Sequence, residues 1–135
     1  MSEREAHIDG LLRLVDEDAK PRVKRWIESA NGRSKLLKWL AHGSGLDTRY
    51  CHEPPRGQRE GEQLLLALRA RGAPRTCYVV SSDGHLDDGF CQLEQLLTLE
   101  LGHFTHGTII SAIPGKLGLF RSAYPHRHLI VHRPD

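Results

Sequence analysis

The sequence predicts an α+β fold: N-terminal helices followed by a small mixed sheet of about four strands, with helices packed on one face. Three observations predict it. Apolar residues recur at helical spacing through residues 1–42, a β-rich segment (TCYVVSS) begins at Thr76, and three further β-rich segments close the chain. The chain has 135 residues, the size of one ordinary domain, and 39% of them are hydrophobic, enough to bury a core.

The helical part comes first. Ile8, Leu11, Leu12 and Val15 fall at i, i+3, i+4 and i+7, one face of a helix. Pro21 suits the first turn of a second helix, in which Val23, Trp26, Ile27 and Ala30 repeat the spacing. Asn31-Gly32 reads as its stop, because both residues tolerate the left-handed conformation. Ser34 then reads as the cap of a third helix with Leu36, Leu37, Leu40 and Ala41 on its apolar face. Residues 43–60 carry Gly43, Gly45, Pro54, Pro55 and Gly57 and read as a long loop, with a short edge strand near Thr48–Cys51.

The second part, 61–135, reads as α-β-α-β-β-β. A helix over 61–71 turns Leu64, Leu65 and Leu68 inward. The strand Thr76–Ser82 follows, then a turn-rich stretch, then a helix with Phe90, Leu93, Leu96, Leu97 and Leu101 on its inner side. Such a strand–helix–strand step is long enough for a right-handed parallel crossover. Strands over Thr108–Ile113, Leu117–Ser122 and His126–Arg133 read as an antiparallel meander. Trp26, Ile27, Leu40, Val79, Val80, Leu97, Ile109 and Ile110 are the expected core.

Composition narrows the function. No apolar run approaches the roughly 18 residues of a membrane span, so no membrane partner is expected. The charged start leads into no apolar signal segment. Cys51, Cys77 and Cys91 are odd in number and show no paired spacing, as expected of free thiols in the cytoplasm. A net charge of +2 does not by itself imply nucleic acid. The charge is segregated, however. Residues 1–19 hold six acids against Arg4 and Arg13, whereas residues 20–38 hold seven bases against Glu28 alone.

Three places can carry chemistry. The first is the segment Ser81–Asp88, which leaves the end of a strand, where α/β sheets often bind ligands. Its catalytic candidates are Asp83, His85, Asp87 and Asp88. A calcium loop starting at Asp83 fails, because Asp88 stands where the loop needs glycine and a strand precedes it. The plain alternative is that Asp87 or Asp88 caps the next helix.

The second is a set of histidines. His126 and His128 would share a strand face roughly 7 Å apart and could chelate one metal ion, with His103 or His106 as further donors. The plain alternative places them on the half-wet outer face of the sheet. Two donors do not make a tight zinc site, so no metal and no cofactor are expected. The third is the basic stretch Arg22, Lys24, Arg25, Arg33, Lys35 and Lys38, arranged as in a helix-turn-helix or simply as a solvated face.

The sequence therefore favours a small intracellular binding or regulatory module acting through protein–protein contacts. The first alternative is an enzyme using the Asp83–Asp88 loop and nearby histidines, with or without a divalent metal. The second is a nucleic-acid-binding protein using the basic helices 21–42.

Overall fold

In a computed structural model, residues 2–40, 45–55, 61–81, 86–98, 108–123 and 126–134 are described. Helix α1 spans Glu3–Arg13. Ser2 caps it by accepting a hydrogen bond from the Glu5 N–H at 3.1 Å, and Glu3, Glu5 and Arg13 complement its dipole. Helix α2 spans Lys20–Ile27, with Pro21 in its first turn. Helix α3 spans Ala30–Leu40.

The break between α2 and α3 falls earlier than the glycine predicts. Asn31-Gly32 lies inside α3, and the chain turns at Glu28–Ser29. Ser29, not Ser34, is the cap: its hydroxyl accepts from the Gly32 N–H at 3.0 Å. Gly32 is there for close approach. A Cβ at this position would meet the Trp26 carbonyl oxygen at 2.4 Å, so its lack of a side chain lets the two helices fold tightly together.

The sheet has six strands, in the order β1-β6-β5-β4-β2-β3. These are β1 Cys51–His52, β2 Thr76–Ser81, β3 Gly89–Gln92, β4 Thr108–Ile113, β5 Leu117–Ala123 and β6 His126–His132. Helix α4, Gly61–Ala70, precedes β2, and helix α5, Leu93–Thr98, follows β3. The expectation of about four strands in a mixed sheet is corrected: all neighbouring strands are antiparallel. The extra edge strand β3 comes from Gly89–Gln92, a segment that begins the helix expected from the sequence. It forms a hairpin with β2, so the chain reverses before α5 and returns as β4 antiparallel to β2 on the other side. No parallel crossover is needed.

Helices cover both faces, not one. On the first face Tyr78, Val80, Ile109, Phe120, Leu129 and Val131 pack against α1, α2 and α3. On the second, Val79, Ile110, Leu117, Leu119 and Ile130 pack against Leu64, Leu65 and Leu68 of α4 and Leu93, Leu96 and Leu97 of α5. The reason is visible in β2 and β4, where consecutive residues from Cys77 to Ser81 and from Thr108 to Ala112 are all buried. Antiparallel sheets often keep one wet face; this one has none through its centre.

Of the expected core, Ile27, Val79, Val80, Leu97, Ile109 and Ile110 are buried. Trp26 is half-buried, lying edge-on to Trp39 with ring centroids 5.7 Å apart. The side chain of Leu40 lies outside the described residues. Among the described residues, no helix is long and apolar enough to cross a membrane.

Val80 is fully buried beneath the helices of the first face. Val80→Asp places an unpaired carboxylate there, at a cost of several kcal/mol against a total margin of roughly 5–15 kcal/mol. The variant is expected to be insoluble or to lose its cooperative thermal transition, which circular dichroism would detect.

Candidate functional site

Asp87 and Asp88 close the turn before β3, and both carboxylates are occupied. Asp87 receives the Arg33 guanidinium, from Nε at 3.1 and 3.2 Å and from Nη2 at 3.0 Å, together with the Ser81 backbone N–H at 3.0 Å. Arg33 also donates to the Tyr78 hydroxyl at 2.9 Å. Tyr78 in turn donates to Asp88 at 2.6 Å, and Arg4 of α1 donates to Asp88 at 2.7 Å. One chain of charge-assisted bonds thus ties α1 and α3 to β2 and to the turn before β3.

The electrostatics follow. The Arg4 hydrogen bond, helped by Tyr78 and Arg33, holds Asp88 below the usual carboxylate range. Burial pushes the Tyr78 phenol up, reinforced by its bond to Asp88. Burial alone would lower Arg33, but its bonds to Asp87 and Tyr78 outweigh that and leave it raised. Asp88, Tyr78 and Arg33 are each held in the charge state that suits their neighbours. This is the pattern of a structural clasp. Neither Asp87 nor Asp88 caps a helix, because a strand follows. Asp88 adopts φ 58°, the left-handed conformation that sharpens the turn. Asp83 and His85 lie outside the described residues.

The basic candidates separate. Arg33 is buried inside the clasp, with 6% of its side chain exposed. Arg22, Lys24, Arg25, Lys35 and Lys38 are exposed on the outer helical layer. The Arg22 guanidinium lies 5.8 Å from the ring centroids of both Trp26 and Trp39.

The histidine expectation is also corrected. His128 is buried, on the face covered by α4 and α5, because that face is not half-wet. His126 takes part in β6, but its side chain, like His103 and His106, lies outside the described residues. Among the described residues no group of three or more His, Cys, Asp or Glu could hold a metal ion. Burial pushes the Cys77 thiol up to about 12, so it is inert as a nucleophile.

The structure shows a groove that sequence reasoning missed. It has a volume of about 420 Å³ and lies between Glu3, Ala6 and His7 of α1, Pro74–Thr76, Phe90, and Ala112 and Pro114 at the end of β4. Two aromatic rings, His7 and Phe90, stand in its wall. His7 stacks on Tyr78 at 5.7 Å and meets Phe90 edge-on at 5.6 Å. The His7 Nδ1 is 2.7 Å from the Ser111 hydroxyl. That pair is not a hydrolytic dyad, because Ser111 is 1% exposed and does not line the groove. Phe90 is 43% exposed on the edge strand β3. Its partner across the ladder, Tyr78, is fully buried. The alternation of Phe90 with Cys91 at a sheet edge was the available signal, hidden because the same residues also fit a helical period. A second concavity, lined by Leu11, Val23, Leu36, Phe120 and other apolar side chains, is only about 20 Å³ and is a packing gap.

No protein-family model matches the chain, and no curated protein or solved structure is significantly similar to it.

Two outcomes are expected. Arg33→Met leaves Asp87 without its partner in a site where 24% of the carboxylate side chain is exposed, and should cost about 3 kcal/mol in chemical denaturation. Burial holds His7 below its ordinary value. A folded pKa below the unfolded one means that stability is fully present above the unfolded value and falls as pH drops below about 6.5. His7→Gln should flatten the part of the stability–pH curve between about 6.5 and the carboxylate range, measured by urea titration.

Proposed function

We propose that this protein is a binding module acting through protein–protein contacts, and that it holds an extended segment of its partner along β3, with Phe90 as the anchor. The carrying observation is an exposed aromatic on a sheet edge, set beside the 420 Å³ groove. The backbone supports the same reading. Leu93 N–H donates to the Arg75 carbonyl at 2.7 Å, in register with the β2–β3 ladder. Bonded and non-bonded pairs alternate along an antiparallel ladder, so Cys91 faces β2 while the Phe90 N–H and C=O point away from it. An added strand can bond to those groups, and its side chains can enter the groove. Leu66, the other large exposed apolar residue among those described, stands on helix α4 and lines none of the groove. Single exposed apolar residues of that kind are ordinary.

The occupied clasp around Asp87 and Asp88 weighs against an enzyme at that loop. The exposed cations Arg22, Lys24, Arg25, Lys35 and Lys38, with Arg22 over Trp26 and Trp39, favour a second reading, contact with a nucleic-acid backbone. Lys35→Glu with Lys38→Glu would then weaken binding to any sequence and lower its salt dependence.

Selection of binders from a displayed random peptide library tests the first reading. Bound peptides should protect the Phe90 amide from hydrogen exchange. Phe90→Glu should weaken them at least about tenfold while leaving the melting temperature nearly unchanged, as truncating a central aromatic anchor does. Selected peptides that bind Phe90→Glu as well as the parent would sink the reading.

A further inference from the structure

Through its centre the second sheet face, under α4 and α5, is apolar, and one row beside that centre is polar. Ser81 of β2 pairs with Thr108 of β4, Thr108 with Arg121 of β5, and Arg121 with His128 of β6. Residues directly opposite across strands share a face, about 5 Å apart at Cβ. Four polar side chains therefore stand side by side across four strands. The next row inward is Val79, Ile110, Leu119 and Ile130, each of them buried and apolar. Ser81, Thr108 and His128 are buried themselves, and the hydroxyls of Ser81 and Thr108 are 3.4 Å apart.

Arg121 is the anomaly in this row. Its Nε is buried and, among the described residues, has no hydrogen-bond partner. Nor does any carboxylate among them pair with its guanidinium. Burial pushes it down to about 10. Arg33 on the other face shows how this chain treats a buried guanidinium that fastens the fold, surrounding it with Asp87 and Tyr78. A desolvated cation without a partner is strongly unfavourable and attracts an anion more than an exposed one does. Arg121 as a whole is half-buried rather than sealed. The planar fork of a guanidinium matches the two oxygens of a carboxylate or a phosphate.

We propose that the Ser81–Thr108–Arg121–His128 row is a binding site for an oxyanion, a phosphate or carboxylate group, with Arg121 as its anchor and the Thr108 hydroxyl beside it. The site lies on the opposite face of the sheet from the Phe90 groove and does not depend on that reading.

The test uses the full chain in chloride buffer, with inorganic phosphate or acetate added in turn at matched ionic strength. One of the two should raise the melting temperature saturably, and calorimetry should give one anion per chain. A response to phosphate alone assigns a phosphorylated ligand; a response to acetate assigns a carboxylate. Arg121→Met should abolish the response and, in chloride, melt no lower than the parent, because an apolar chain of similar length replaces an unpaired charge. Arg121→Lys should keep a weaker response, having the charge without the fork. The proposal is overturned if neither anion stabilises the parent beyond chloride, or if Arg121→Met responds like the parent. A large fall in the melting temperature of Arg121→Met in chloride would also overturn it, by showing that the guanidinium already has an anion within the chain.

Discussion

The sheet must be covered twice, and most of the structure follows from that. Tyr78 and Val80 of β2 point to one layer of helices, while Cys77 and Val79 point to the other. Had only one face been apolar, the three N-terminal helices would have sufficed. Because both are, the chain must also supply α4 and α5, and it places them before β2 and after β3. Burial on two sides gives this small chain a larger apolar core than a two-layer arrangement would, and burial of apolar surface is the main favourable term in folding.

Double coverage also decides what happens to polar groups. A charge at the centre of such a sheet has no water to turn to and must find its partner inside the protein. On the first face this is done fully: Arg33, Tyr78, Asp87, Asp88 and Arg4 satisfy one another and join two helices to the β2–β3 turn. On the second face it is not, and the guanidinium of Arg121 stays without a carboxylate among the described residues. The two arginines differ in environment rather than in chemistry, which is why one acts as a fastener and the other points to a ligand. Phe90 is exposed because it sits at the edge strand β3.

Individual positions show how legible the fold was. Strands β2, β4, β5 and β6 could be read almost to the residue, because β-branched runs bounded by Gly and Pro admit few alternatives. The β3 strand could not, since Phe90, Leu93, Leu96 and Leu97 also satisfy a helical period and a four-residue strand is too short to contradict it. The helix break at Ser29 was misplaced to Gly32 because a glycine that permits close packing is indistinguishable in sequence from one that ends a helix. Asp87 and Asp88 could be named as unusual, but their partners Arg33 and Arg4 lie 54 and 84 residues away. Arg121 carried no local signal at all.

The amino-acid sequence by itself determined the mixed α and β character, the N-terminal helices, four of the strands and most of the core, because each of these depends on the spacing of apolar residues within one segment. Tertiary structure alone decided that the sheet is antiparallel throughout and covered on both sides, that Asp87 and Asp88 are consumed by distant arginines, and that Arg121 stands between Thr108 and His128 with no carboxylate beside it among the described residues. Those outcomes depend on which strands become neighbours, and strand neighbours are chosen by the competition of all the apolar faces for cover at once, a property no single segment contains.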